Sequence, residues 1–270
     1  MYPKREVFPK SPLALVAAEI RFSDAPRLRQ SETLDAVAVA VESLLPVHEQ
    51  VQGAVNIQVV NGQPQVQVVT GRVMKNVDST AALSIFPDRL SFETTAYAEY
   101  ETFKANVVAC AQALVSAGVA PAVQRIGLRY LDEIRVPDAK VVDARLWSDW
   151  VDQRLVDHLQ LGPDGAPVAR ADGTISYDLG HHKGLNFRFA ALPGGAVVVT
   201  GNLVRRPFVE NVPVFVLDFD GYQDFSGQKA MLLSTDAVAL TLDAVHGPAG
   251  ETFQNAITDQ ARELFRGEKP

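Results

Sequence analysis

The stretch VQRIGLRYLDEIRV, from Val123 to Val136, decides the fold because its residues alternate in character. Side chains of a β-strand point to opposite faces in turn, so a period of two predicts a strand that separates an apolar from a charged surface. The apolar face is formed by Ile126, Leu128, Tyr130 and Ile134. The charged face carries Arg125, Arg129, Glu133 and Arg135.

The residues before this strand predict further strands and two helices. A similar alternation runs from Leu13 to Phe22, where Glu19 and Arg21 face away from the apolar residues. Helices are predicted from Ser31 to just before Pro46 and from Tyr100 to Ala117. Between the helices we predict four strands, Ala54–Val60, Gln65–Met74, Ala81–Phe86 and Leu90–Ala96, with a hairpin turn at Asn61-Gly62.

The residues after Val136 predict a second group of strands with helices on either side. A helix is predicted over Leu146–Leu159. The strands are predicted at Thr174–Leu179, Leu185–Ala191, Ala196–Arg205 and Val212–Asp220. Two helices, Thr235–His246 and Glu251–Phe265, are expected to be separated at Gly247-Pro248, because a proline inside a helix removes a hydrogen bond and clashes with the preceding turn.

These elements predict an α+β fold of two halves, residues 1–137 and 138–270. Each half consists of an antiparallel β-meander and a helix that packs on one face of the sheet. We expect the halves to form one continuous domain. An ancient duplication is one interpretation of their similar order, although residue identity between them is weak.

Composition limits the classes of function. A formal net charge of −7 argues against nucleic acid as a partner, since duplex binding normally requires a basic surface. One cysteine, Cys110, excludes an internal disulfide and fits a cytoplasmic protein. The longest apolar stretch, Ala237–Val245, is too short to cross a membrane, so no membrane partner is expected.

Several segments together resemble one known family. They are LSFETTAY at Leu90–Tyr97, GLRYLDEI at Gly127–Ile134, LDFDGY at Leu217–Tyr222 and LDAVH at Leu242–His246. The chain resembles a sporadically distributed family of prokaryotic proteins of about this length that have no assigned activity. The resemblance implies no reaction. A patchy distribution implies an accessory gene, for example in a defence or toxin–antitoxin locus.

The charged strand face is the leading candidate binding site. It combines residues from three predicted strands: Arg125, Arg129, Glu133, Arg188, Asp218 and Asp220. One hypothesis is that this face, or an exposed edge strand, binds a protein or peptide partner without catalysis. The default alternative is that cross-strand ion pairs simply solvate an open sheet face. Self-association through an edge strand also stays open.

Two other functions are kept as alternatives. A pocket between the curved meander and a long helix would bind an apolar or nucleotide-like small molecule. Asp218 and Asp220, with a histidine, would support a metal-assisted phosphodiesterase or other hydrolase. No cofactor is expected, because the sequence contains no Walker loop, nucleophile elbow or zinc-protease motif. His246 is interpreted as a residue that caps the end of a helix.

Overall fold

The computed structural model describes residues 6–60, 63–136, 143–196, 203–227 and 229–267. Within these ranges, ten antiparallel strands form one sheet and four α-helices accompany it, which confirms the α+β prediction. The strands are β1 Leu13–Phe22, β2 Val47–Val60, β3 Gln63–Lys75, β4 Ala81–Phe86, β5 Arg89–Thr94, β6 Ala122–Arg135, β7 Ala171–Gly180, β8 Lys183–Leu192, β9 Val214–Asp224 and β10 Met231–Leu232. The helices are α1 Ser31–Val41, α2 Tyr100–Ser116, α3 Thr235–Ala256 and α4 Asp259–Arg266.

The two groups of strands meet at the centre of the sheet. The strand order is β2-β3-β4-β5-β1-β6-β9-β8-β7, and β10 pairs with the beginning of β6. Strand β1 pairs with β5, the last strand of its own meander, and β6 pairs with β9 in the same way. The antiparallel pair of β1 and β6 therefore joins an arm of five described strands to an arm of four.

The three longer helices lie side by side on one face of the sheet. Helix α2 lies between α1 and α3, and α3 packs across β6, β8 and β9. The closest approach is at Gly221 of β9, where a Cβ atom would lie 3.0 Å from the carbonyl oxygen of Val245. A side chain at this position would push α3 away from the sheet, so glycine permits the tight packing.

The main core lies between this sheet face and the helices. Its largest fully buried side chains include Trp147, Phe22, Phe92, Phe215 and Phe219. A second, small cluster lies on the opposite face and consists of Leu15, Val73, Ala82, Leu131 and Leu203. The chain after Leu203 also contacts this face, where Arg205 donates a hydrogen bond to Glu133.

The predicted helix at Leu146–Leu159 is wrong. This region forms three short 3₁₀-helices, Ala144–Asp149, Gln153–Leu155 and Asp157–Leu161. The side chain of Asp152 accepts a hydrogen bond from the backbone of Arg154 at 3.0 Å, which starts a new turn instead of continuing the old one. In addition, Val151 makes a β-bridge to Ile257. The region nevertheless contributes four buried apolar side chains to the core, those of Trp147, Trp150, Val151 and Leu155.

The predicted break at Gly247-Pro248 is also wrong. Helix α3 continues through Pro248 to Ala256. Val245 and Ala249, on either side of the proline, are both buried against the core, so packing holds the two parts of the helix in line. The chain breaks instead at Ile257, whose backbone is extended, and Thr258 begins α4 by accepting a hydrogen bond from the backbone of Ala261 at 3.2 Å.

Two predictions fall partly or wholly outside the described residues. The turn at Asn61-Gly62 lies outside them. The strand predicted at Ala196–Arg205 lies mostly outside them, and its described residues, Ala196 and 203–205, are not in a strand. Among the described helices, none has the length and apolar character needed to cross a membrane.

Candidate functional site

The sheet register places the six predicted site residues on the face opposite the helices. Arg129 lies beside Asp220 in the β6–β9 pair, and Arg188 lies beside Asp218 in the β8–β9 pair. Because residues directly opposite each other share a face, the arginines and carboxylates alternate across three neighbouring strands. Arg125 and Glu133 belong to the same face of β6, on either side of Arg129.

Asp218 is the centre of the charged face. Arg129 binds both of its carboxylate oxygens, with Nε and Nη2 each 2.7 Å away, and Arg188 Nη1 lies 3.2 Å from Oδ2. The Asp218 side chain is 7% exposed, whereas those of Arg129 and Arg188 are 46% and 43% exposed. The hydrogen bond to Asp218 raises the pKa of Arg129. The two guanidinium groups therefore cover a buried carboxylate and keep other N–H groups towards solvent.

Arg125 forms a second unit on this face with Asp220 and Tyr222. Its Nη2 lies 3.2 Å from Asp220 Oδ2, and its guanidinium carbon lies 4.3 Å from the centre of the Tyr222 ring. A cation held between a carboxylate and an aromatic ring is neutralised and ordered. Arg125 is thus mainly engaged within the sheet surface.

Glu133 lies in a buried network and not on open surface. Its Oε2 accepts hydrogen bonds from Arg135 Nη2 at 2.8 Å and from Arg205 Nη2 at 2.7 Å, and its side chain is 4% exposed. Arg135 also donates to the carbonyl oxygen of Gly195 at 2.6 Å. The network fastens the chain around Gly195 and Arg205 to the sheet, so Glu133 is inaccessible to a docking partner.

A cavity of about 380 Å³ lies on the other side of the sheet. It is bounded by β6 and β9, by the start of α2, by the middle of α3 and by the chain before β1. Aromatic side chains form much of its wall: Phe8, Tyr97, Tyr100, Tyr130, Phe219 and Phe253. A concave, mainly apolar space of this size with a few polar groups is typical of a small-molecule site.

Asp132 is the unusual residue of this cavity. It lies opposite Leu217 in the β6–β9 pair, on the helix-covered face, and is 4% exposed. None of the described residues donates a hydrogen bond to its carboxylate or pairs with it as a cation. Burial, reinforced by the negative charge of Asp218, raises its pKa to about 8. A buried carboxyl group without a partner in an aromatic cavity is a strong indication of a functional site.

A cluster of two tyrosines and a histidine forms the neighbouring wall. The rings of Tyr100 and His246 are stacked, with centroids 3.7 Å apart, and Tyr130 Oη lies 2.9 Å from His246 Nδ1. Burial raises the pKa of the Tyr100 phenol, and so does the hydrogen bond of 2.8 Å that Tyr100 Oη donates to Asp243 Oδ1. The interpretation of His246 as a helix-capping residue is therefore wrong, since it lies in the interior of α3 and faces the cavity.

The chain before β1 closes one side of the cavity. The Phe8 ring packs against Phe253 and Phe265, with centroids 6.4 Å and 5.5 Å apart. Glu6 pairs with Arg266 through contacts of 2.6 Å and 2.8 Å. The wall formed by residues 6–13 is therefore fastened to α4, and the cavity is complete when this segment is docked.

The geometry does not assemble the proposed hydrolase centre. Among the described residues, no group of three or more histidine, cysteine, aspartate or glutamate side chains could hold a metal ion. Asp218 and Asp220 face arginines, and His246 lies on the opposite side of the sheet. His181 and His182 form the turn between β7 and β8, and their φ values of 52° and 59° are typical of a two-residue hairpin turn.

The sequence indicates that Asp132 is buried, but the other charged residues of the same strand draw attention away from it. Position 132 is in phase with Leu128, Tyr130 and Ile134, so the period of two places its carboxylate among apolar side chains. A single acidic residue on the apolar phase of a central strand indicates a buried charge. The pattern within one strand does not show that Tyr100 and His246 line the same cavity. These residues belong to α2 and α3, which come together only in the folded protein.

Comparisons with family models, with curated proteins and with solved structures give no match for this chain.

Proposed function

We propose that the protein binds a small organic molecule in the cavity between the sheet and helices α2 and α3. The observation that carries this proposal is the carboxylate of Asp132, which is buried in the cavity wall without a partner among the described residues. Burying such a group lowers stability unless something compensates it. Proteins tolerate this at sites where a ligand completes the set of interactions.

The rest of the cavity supports the same function. Its aromatic walls offer apolar contact area, and Tyr130, His246 and Tyr97 add hydroxyl and imidazole groups that can orient a ligand. The volume of about 380 Å³ lies in the range of small-molecule sites. The charged groups of the opposite sheet face, in contrast, largely satisfy one another.

Native mass spectrometry tests this proposal. The protein is purified from cell extract without denaturation, and the expected result is a non-covalent adduct of a few hundred daltons that is lost on unfolding. The matched variants are Ala98→Trp, which places an indole at the exposed rim of the cavity, and Ala40→Trp, which places one on the exposed surface of α1. The adduct should be lost in the first variant and kept in the second. A clean mass for the wild type, with no thermal shift across a metabolite library, contradicts the proposal.

A second candidate function is favoured by Arg129 and Arg188. Both guanidinium groups are nearly half exposed and retain unused N–H donors next to buried Asp218. An acidic peptide segment of a partner protein would complement them, because carboxylates accept paired hydrogen bonds from arginine. This candidate preserves the hypothesis of a binding protein that acts through the charged sheet face.

Affinity capture distinguishes this second function. Arg188→Gln removes one exposed cation and leaves Asp218 bound to Arg129, so the sheet should stay folded. Arg154→Gln, at an exposed pair with Asp152, is the control with the same change of charge. If the face binds an acidic partner, Arg188→Gln loses a stoichiometric partner that both the wild type and Arg154→Gln retain. Identical capture by all three proteins contradicts it.

A further inference from the structure

We propose that the ligand of the cavity is an organic cation, an amine with an attached apolar group, whose ammonium pairs with the carboxylate of Asp132. This inference rests on the proposed function, since it names the chemical class of the molecule bound in the same cavity. It follows from three features of the cavity: an uncompensated carboxylate, aromatic walls and an excess of acidic groups.

The first feature is the missing positive charge. Buried carboxylates are normally paired with a cation or bound by several donors. Asp218 shows this arrangement one position away on β9, where Arg129 and Arg188 together neutralise it. Asp132 has no such partner among the described residues, and the charge that acts on it is the negative charge of Asp218. A cationic ligand would supply the positive charge that none of the described residues provides.

The second feature is the arrangement of the aromatic walls. Tyr97 and Tyr130 form a T-shaped pair with centroids 6.1 Å apart, and Phe219 and Phe253 form another at 6.1 Å. All four rings line the cavity that contains Asp132. Aromatic faces attract ammonium groups through the ring quadrupole, and several rings around a carboxylate form a cage for a substituted amine. Their apolar surface also accommodates the hydrocarbon part of the ligand.

The third feature is the charge of the remaining lining residues. Glu99 adds to Asp132, Glu6 is already paired with Arg266, and Arg206 is the cationic side chain of the described lining. Arg206 is exposed and donates from Nη2 to the carbonyl oxygen of Tyr97 at 3.0 Å, away from Asp132. His246 lies against Tyr130 and Tyr100. The carboxylates outnumber the guanidinium groups, so the field in the cavity favours a cation over an anion.

A carboxylic acid ligand is the main competing class. Asp132 in its protonated form could donate a hydrogen bond to such an acid, so the experiment compares ligands of equal shape and different charge. The probes are 2-phenylethylamine, 2-phenylethanol and 3-phenylpropanoate, measured by titration calorimetry at neutral pH. The protein variants are Asp132→Asn, which is isosteric, and Asp164→Asn, an exposed loop residue, as the control.

The expected result is that the amine binds at least tenfold more tightly than the alcohol and the acid. Asp132→Asn should weaken amine binding at least tenfold and leave alcohol binding unchanged, and Asp164→Asn should change neither. Because an ammonium favours the ionised carboxyl group, amine binding to the wild type should also release close to one proton, measured from the heat in buffers of different ionisation enthalpy. Asp132→Asn should release none.

Three outcomes overturn the inference, and the first two separate it from the proposed function. If the alcohol or the acid binds as tightly as the amine, and Ala98→Trp abolishes that binding, the cavity is a ligand site but the ligand is not a cation. If none of the three probes binds and the native mass is clean, both the inference and the proposed function fail. Amine binding that is unaffected by Asp132→Asn, without proton release, also contradicts the role of Asp132.

Discussion

Asp132 and Asp218 are buried carboxylates that lie one register position apart on neighbouring strands and point to opposite faces of the sheet. Two arginines neutralise Asp218, and no described cation neutralises Asp132. The alternation of side chains along the strands thus places two buried carboxylates at adjacent register positions. One of them has cationic partners, and the other has none among the described residues. This contrast gives the two residues opposite expected behaviour on mutation.

Asp132 is expected to make stability depend on pH. Its pKa of about 8 in the folded protein lies well above that of an unfolded aspartate, so the folded state holds a proton that the unfolded state has released between these values. The free energy of unfolding should therefore decrease as pH rises from about 4 to about 8 and lose no more above that. The upper limit of this loss is about 6 kcal/mol.

Asp132→Asn should remove this dependence, because an amide does not titrate. The variant should match the wild type near pH 4 and exceed it near pH 9, measured by urea unfolding at each pH. The free energy of unfolding of the wild type is subtracted from that of the variant at each pH. This subtraction cancels the contribution of carboxyl groups with lowered pKa values, such as Asp143 and Asp243, which make the protein more stable as pH rises. A constant difference between pH 4 and pH 9 contradicts the prediction.

Asp218→Asn should destabilise the protein at neutral pH. The substitution leaves Arg129 and Arg188 beside each other without the carboxylate that holds them. We therefore expect the free energy of unfolding to fall by about 1–3 kcal/mol. This is less than for a fully buried ion pair, because both arginines are nearly half exposed. Asp172→Asn, in the exposed pair with Arg170, should change stability by less than about 0.5 kcal/mol. Equal losses for both variants in urea unfolding contradict the structural role of Asp218.

Pro248→Ala should stabilise the protein. Proline inside α3 lacks the N–H that would bond to the preceding turn, and alanine restores it, so we expect a gain of about 1–3 kcal/mol. Pro163→Ala, in a loop, is the control and should give no gain. Thermal unfolding measures both. A loss of stability in Pro248→Ala would mean that the helix requires the local geometry that proline imposes.

Cys110 should be unreactive in the native protein. It is fully buried on α2, and burial raises the pKa of its thiol to about 12, so the nucleophilic thiolate is scarce and inaccessible. Modification by Ellman's reagent should occur at the rate of global unfolding and accelerate with urea. A rapid reaction without denaturant would show that α2 opens locally.

The sequence was most informative wherever a single element determined the outcome. The period of two in β6 predicted that Arg125, Arg129 and Glu133 share one face, and the structure places them there. It did not reveal that Glu133 is covered, because Arg205 and Gly195 reach it from a distant part of the chain. Similarly, the rule that proline breaks helices was overridden at Pro248 by burial on both sides.

The cavity was less predictable from the sequence, because distant segments of the chain form it together. Its position requires Phe8 to meet Phe253 and Tyr100 to stack on His246, and both pairs join segments that are far apart in the sequence. Asp132 was the one member with a local signal, a carboxylate in the apolar phase of its strand. A pattern within one strand can show that a charge is buried, whereas the identity of its surroundings depends on the complete fold.

The central pairing of β1 with β6 has a consequence for how the chain folds. Strand β1 finds its neighbours in β5 and β6, so its edge towards β6 stays unpaired until the chain has been synthesised through the first meander, α2 and β6. Contacts of such large sequence separation slow the search for the native state. Phe8, which precedes β1, cannot dock until α3 and α4 have been synthesised, because its ring packs against Phe253 and Phe265.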